Sequence, residues 1–281
     1  MKNPFINFRF ALRLLLTRGR GTQNFLGAAW IPLLIRLAPA SKREWLALYL
    51  LSLSPHYFFR DRYPARTKRG EFLKLERERN DRVRKKICER LLVPYLRPGD
   101  LVLDYGCGPG FLARSVSRYV GKVYAGDISP GTIACARIIN PAPNLKYFVT
   151  GRNDKLLFSD SSLNLVYSFA VIQHLSDRIL WTLLEDIYRW LIPGGRAVLH
   201  IVVDDQGWKN EEEWKSDLSL SGRLRYRCGL HCFGRSGEAV MRMISETGFV
   251  SGQNLKISDR ARIDDDVGKQ NLFVFEKPGQ Q

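Results

Sequence analysis

From residue 101 onward the chain alternates between two hydrophobic rhythms. Short runs rich in β-branched and aromatic residues are separated by stretches whose apolar positions return every three or four residues. "LVLDY" (101–105) predicts a strand and is followed by a helix over 111–120. "KVYAGD" (122–127) predicts a second strand, with a helix over 130–140, and "LKYFVT" (145–150) a third. "LNLVYSFA" (163–170) predicts a fourth, followed by a helix over 177–191. The turn "IPGG" (192–195) leads to a fifth strand, 196–203. Strands alternating with helices predict an α/β fold: a doubly wound, mostly parallel sheet with helices on both faces. After a polar insert (204–235), a helix within 236–249 precedes two strands, 251–258 and 271–277. No helix separates these two, so they are expected to pair antiparallel.

Upstream the pattern changes. Residues 61–99 are highly charged, and 71–96 reads as a lead-in helix with Phe72, Leu75, Val83, Ile87 and Leu91 toward the core. Glu76 is expected to pair with Arg79 or Arg82 on its outer side. Residues 1–60 form an α-helical extension that is apolar and basic at once. Ile6, Phe10 and Leu14, and Phe8, Leu12 and Leu15, fall near helical spacing until Gly19 and Gly21 break it. Such a helix either lies on a membrane or packs on the body with its arginines in water. No uncharged apolar run reaches the ~18 residues of a membrane span. Arg9 and Arg13 interrupt the opening apolar stretch, and no small-residue cleavage site follows, which argues against a signal peptide. The expected division is therefore 1–60 and 61–281.

Charge sharpens that division. Of a net charge of +16, residues 1–99 carry +15, while 100–281 are close to neutral. The basic front suits an anionic partner, either nucleic acid or an acidic membrane surface. The five cysteines are irregularly spaced, which points to a reducing compartment rather than a disulfide framework. The expected location is cytoplasmic, with peripheral attachment to the inner face of a membrane.

The chemistry is concentrated in "LVLDYGCGPGFLARSV" (101–116). Ligands of open parallel sheets bind beyond the carboxyl ends of the strands. Gly106, Gly108 and Gly110 let the backbone turn there and approach a ligand, and the following helix offers unpaired N–H groups. Asp104 can attract an ammonium group. Phe111 stands where a dinucleotide fingerprint requires glycine, and a pyrophosphate does not call for an acid before the loop. An amino-acid-bearing nucleoside does, with its ammonium toward Asp104 and its carboxylate on backbone N–H groups. Asp127, ending the second strand, can accept hydrogen bonds from both ribose hydroxyls.

With these residues in place, the sequence resembles the class I S-adenosylmethionine-dependent methyltransferases. "VLDYGCGPG" resembles their first motif and "VYAGDIS" their second. "GRNDKLLFSDSSLNLVYSFAVIQHLSD" and "IYRWLIPGGRAVLHIV" resemble the regions around their later strands. The resemblance spans roughly residues 82–278. It implies S-adenosyl-L-methionine as cofactor and a seven-stranded sheet of order 3-2-1-4-5-7-6 with the last strand antiparallel. It carries cofactor contact onto Asp104, Tyr105, Gly106, Cys107, Gly108, Gly110, Asp127, Ile128, Arg152, Asn153, Phe169 and His174. Arg152 departs from the acid that the family often sets against the adenine amino group; Asn153 or Asp154 substitutes, or Arg152 stacks on the ring. Asn164 replaces another acid usual in the family.

The acceptor side is less defined. Candidate proton acceptors are His174, after the fourth strand, and His231, in the insert; His200 lies inside the fifth strand, where core packing competes with catalysis. Cys107, between glycines, is expected to pack as a small residue. Cys228, His231 and Cys232 resemble half a metal site without a second ligand pair, so no metal is expected. Glu211–Glu213 and Asp264–Asp266 read as solvated loop faces. Trp208, Trp214, Tyr226 and Phe233 either line an apolar acceptor pocket or form the insert's own core. The leading expectation is methyl transfer to a small-molecule or lipid-like acceptor. An RNA methyltransferase using the basic front, and a cofactor-binding partner subunit without activity, stand as alternatives.

Overall fold

A computed structural model describes residues 25–54, 56–151, 158–205, 207–227, 231–256 and 271–279. The helical pattern expected before residue 21, Arg152, Asn153 and Asp154, Cys228 and the run Asp264–Asp266 lie outside these residues.

Two helices come first, α1 (Ile31–Leu37) and α2 (Ala40–Ser52), then the lead-in helix α3 (Arg69–Ile87). The body follows as β1 (Leu101–Tyr105), α4 (Phe111–Val116), β2 (Lys122–Asp127), α5 (Pro130–Ile139), β3 (Leu145–Val149) and β4 (Leu163–Ser168). It continues with α6 (Asp177–Trp190), β5 (Leu191–Ile201), α7 (Glu211–Ser216), α8 (Leu220–Arg227), α9 (Gly237–Glu246), β6 (Val250–Lys256) and β7 (Asn271–Glu276). The seven strands make one sheet in the order β3-β2-β1-β4-β5-β7-β6. β7 runs antiparallel to both β5 and β6, and the other pairings are parallel. The sheet order and the antiparallel last strand are as the sequence led us to expect.

The central strands have core on both sides, which is why their sequences are apolar almost without alternation. On one face Val102 and Val123 pack with Val83, Ile87 and Leu91 of the lead-in segment and with α4 and α5. On the other, Leu103, Val166 and Leu199 pack with Leu180, Leu184 and Ile187 of α6 and Val240 and Ile244 of α9. A third cluster joins α1, α2 and α3 to Phe111, Cys135 and Ile139 of the body. The described part of the front is thus packed against the body.

Three expectations are corrected. The turn 192–195 belongs to β5 as an irregularity: Leu163 pairs with Leu191, the next pair is Leu165 with Arg196, and Gly194 takes φ 73° to absorb the extra residues. The lead-in helix stops at Ile87 and continues through tighter and wider turns to Tyr95, where Pro94 cannot sustain an α-helical ladder. Glu76 is fully buried rather than paired at the surface. It accepts hydrogen bonds from the Phe59 N–H at 3.0 Å and the Tyr63 hydroxyl at 2.8 Å, fastening the segment 56–63 to α3.

Candidate functional site

The crevice begins where β1 ends. The Gly106 and Cys107 N–H groups both donate to the Gly126 carbonyl, at 2.8 and 2.9 Å, bending the chain over β2. Gly106 and Gly110 both have φ 81°, which side chains disfavour. Space excludes them as well: a Cβ at Gly106 would overlap Val171, and one at Gly110 would overlap the Tyr147 hydroxyl. Cys107 is buried, as a small packing residue should be. Tyr105 is half-buried, and Ile128 is exposed at the end of β2.

Two buried carboxylates define the electrostatics. Asp104 accepts from the Tyr167 hydroxyl at 3.0 Å. Burial raises its pKa to about 7, with the charge of Asp127 adding to the effect and Tyr167 and Arg84 opposing it. Asp127 accepts from the Gly108 N–H at 3.0 Å and the Ser129 N–H at 2.9 Å. Burial raises it to about 6 against those two hydrogen bonds. Each of its oxygens keeps acceptor capacity for a further donor.

Three groups at this crevice escaped sequence reasoning. The Arg84 guanidinium, from α3, sits over the Phe169 ring with 5.5 Å from Cζ to the centroid. It interacts electrostatically with Asp104 but makes no ion pair or hydrogen bond among the described residues. Burial, with Arg79 nearby, lowers its pKa to about 10, so it stays cationic at neutral pH. Tyr57 lays its ring over Gly108, 3.2 Å from where a Cβ would stand, and its hydroxyl lies 3.4 Å from Thr132 Oγ1. His56 stands beside it, its ring 6.0 Å from that of His174, and burial lowers its pKa to about 4. The signal for the pair was an aromatic turn, "PHYFF", between helices; the signal for Arg84 was a helix facing the motif.

His174 closes the 3-10 turn Ile172–His174 after β4. Its Nδ1 lies 3.2 Å from the His231 carbonyl, which can only accept, so Nδ1 carries the proton and Nε2 is the basic nitrogen. Surrounding protein, with His231 nearby, lowers its pKa, and the neutral form prevails at pH 7. Cys232 Sγ lies 3.7 Å from the same Nδ1. His200 is wholly buried. Its ring stacks on Phe169 at 4.1 Å, and its Nδ1 accepts the Ala170 N–H at 3.1 Å. It thereby holds Ala170 at φ 62°, which ends β4 sooner than expected.

The insert is tied to the His174 turn. The Phe233 N–H donates to the Gln173 carbonyl at 2.8 Å. Arg235, buried, donates to the Leu175 carbonyl and pairs with Asp177 at 2.5 Å. The His231 ring lies among Tyr226, Trp214 and Phe233 at 4.7–5.8 Å. It therefore reaches His174 through its backbone carbonyl, while these three aromatics surround its ring. A groove of about 410 Å³ is lined by one of them, Trp214, together with Trp208, Lys209, Asp217, Ser219 and Cys232 among others. Glu211–Glu213, expected in a loop, form the first turn of α7, where Asn210 and Glu213 cap each other at 2.7 and 2.9 Å. Acids suit that helix end. Among the described residues no group of three His, Cys, Asp or Glu is arranged to hold a metal, and no helix is long and apolar enough to cross a membrane.

Residues 103–199 match the family of methyltransferase domains. The chain is 30% identical over 132 residues to malonyl-acyl-carrier-protein O-methyltransferase of Erwinia billingiae, covering 46% of this chain and 51% of that protein. It is 32% identical over 133 residues to arsenite methyltransferase of Halobacterium salinarum, covering 45% and 33%. In fold it is similar to a chain of the Haloferax volcanii complex between a methyltransferase activator and a methyltransferase. There the TM-score is 0.52 and the identity 20%, over 73% of this chain and 93% of that one. The chain spans about half the length, or less, of the curated relatives it matches. The sheet order and the glycine turn accompany this methyltransferase-domain match, which is confined to residues 103–199.

Proposed function

We propose that the protein methylates a small-molecule or lipid-like acceptor, using S-adenosylmethionine held at the ends of β1 and β2. The observation that carries this reading is a pair of opposite charges that do not meet. Asp104 and the Arg84 guanidinium share the carboxyl ends of β1 and β4 without forming an ion pair. A cation kept partly from water needs an anion. The amino-acid end of the cofactor supplies both complements, its ammonium for Asp104 and its carboxylate for Arg84. A pyrophosphate would set its charge against Asp104. Asp127 takes the ribose hydroxyls, and Tyr57 and Val171 cover the turn.

The bound sulfonium supplies an electrophilic methyl group, and the protein's task is alignment. The acceptor enters along the groove of the insert, of a size suited to a small molecule or headgroup. One of its lining residues, Cys232, has its Sγ 3.7 Å from His174 Nδ1. Nε2 of His174 takes the proton from the acceptor's nucleophile as the methyl group arrives, and the His231 carbonyl holds the imidazole in the required tautomer. Arg152 and Asn153 stay as proposals for the adenine edge.

Calorimetric titration with S-adenosylmethionine tests cofactor binding, and methyl-labelled cofactor incubated with fractionated cell extract tests transfer. Micromolar binding and label in the lipid or small-molecule fraction are expected. Label in RNA, or binding without any transfer, would replace this reading with one of its alternatives. In His174→Gln, transfer should fall about a hundredfold with cofactor affinity unchanged.

A further inference from the structure

Helix α1 has two faces with opposite surroundings. Ile31 and Ile35 are buried, and Ile31 lies where Gly131 of α5 leaves no room for a side chain. On the other face Trp30, Leu33, Leu34 and Leu37 are 54%, 55%, 40% and 73% exposed. Their spacing puts them in one stripe along the helix. Trp45 of α2, stacked on Tyr49, is exposed as well. Single exposed apolar residues are ordinary, but a stripe of this kind marks an interaction surface.

Charge says what covers it. Residues 1–43 contain 8 Lys and Arg and no Asp or Glu. Arg36 on α1 and Lys42 in the first turn of α2 are exposed. Arg43 donates to the Arg36 and Ala38 carbonyls, both at 2.9 Å. Carbonyls at a helix end otherwise depend on water, so this contact prepares the end of α1 for a surface poor in water. Tryptophan suits the headgroup level of a bilayer, and Lys and Arg can extend to lipid phosphates.

We propose that the Trp30–Leu37 stripe docks on an anionic phospholipid bilayer, with α1 lying in the plane of the interface. The buried face of α1 packs on α5, whose cap residue Ser129 donates its N–H to Asp127. Docking therefore keeps the crevice beside the bilayer and points to a lipid or lipid-linked acceptor. That last step rests on the methyltransferase reading; the docking does not.

The test uses the full chain and vesicles of phosphatidylcholine with and without phosphatidylglycerol. Co-sedimentation with the anionic vesicles alone is expected, weakening as salt rises. The triple variant Leu33→Ser, Leu34→Ser, Leu37→Ser should lose at least about tenfold in vesicle partitioning. Its melting temperature and cofactor affinity should be unchanged, because all three side chains face water. Failure of the unaltered chain to sediment would overturn the proposal. So would equal binding by the variant, which would put the contact elsewhere, or a change from dimer to monomer in the variant, which would make a second copy the occupant. Docking without any cofactor binding would retain the surface and remove the methyltransferase reading.

Discussion

The crevice at β1 and β2 and the insert at 204–235 meet at the His174 turn, yet they are built by opposite means. The crevice is a backbone construction: two N–H groups on the Gly126 carbonyl, two more on Asp127, and glycines where any side chain would collide. The insert has a backbone tie of its own, the Phe233 N–H on the Gln173 carbonyl, but leans on side chains reaching far along the chain, such as the Trp214 Nε1–H on the Cys232 carbonyl and Arg235 on the His174 turn. A backbone cradle tolerates many neighbouring sequences while keeping its ligand. Side-chain ties change with each substitution, so they are where acceptor choice can diverge.

The largest effect should come from the crevice charges. Asp104→Ala should weaken S-adenosylmethionine binding about a hundredfold, ~3 kcal/mol for a charge-assisted contact, read by calorimetry. Arg84→Ala should cost about tenfold or more for the same ligand but nothing for a decarboxylated analogue. Equal losses for both ligands would deny Arg84 its carboxylate.

The insert is expected to answer differently. Arg235→Ala removes the side-chain tie between insert and His174 turn and leaves the bonds to the Gln173 and His231 carbonyls, so kcat should fall about tenfold through misplacement of the reacting groups. Cofactor affinity should hold; a parallel loss of both would mean the two regions are not separable.

A third measurement is pH. Asp104 at about 7 and Asp127 at about 6 bind protons in the folded, ligand-free chain that the unfolded chain has released. Their contribution to stability therefore falls as pH rises from about 4 to 7, with the slope given by the difference in bound protons. Cofactor binding favours ionised Asp104, so affinity should rise over pH 6–8 and protons should be released on binding. Asp104→Asn should flatten that dependence. Smallest of all, Asn210→Ala should cost about 1 kcal/mol of stability through the lost cap of α7, with cofactor affinity untouched.

This contrast also explains what could be read from the chain alone. Asp104, the glycines and Asp127 were legible because their contacts lie within a turn or between neighbouring strands, so spacing encodes them. Arg84, Tyr57 and Glu76 were not. Arg84 reaches Phe169 across a stretch of chain that holds four strands and two α-helices, and periodicity on a charged helix does not say which polar residue points inward. Glu76 shows the cost of assuming that it points out. The insert's aromatics stayed ambiguous for the same reason: composition showed apolar area but not whether a ligand or Trp214 itself would fill it.

Arg84, Tyr57 and Arg235 all lie outside the span 103–199 that matches the family. A recombinant fragment trimmed to that span would keep the glycine loop yet discard its cover, its cation and the brace on its histidine turn. Truncation studies of this protein should therefore preserve the flanking segments.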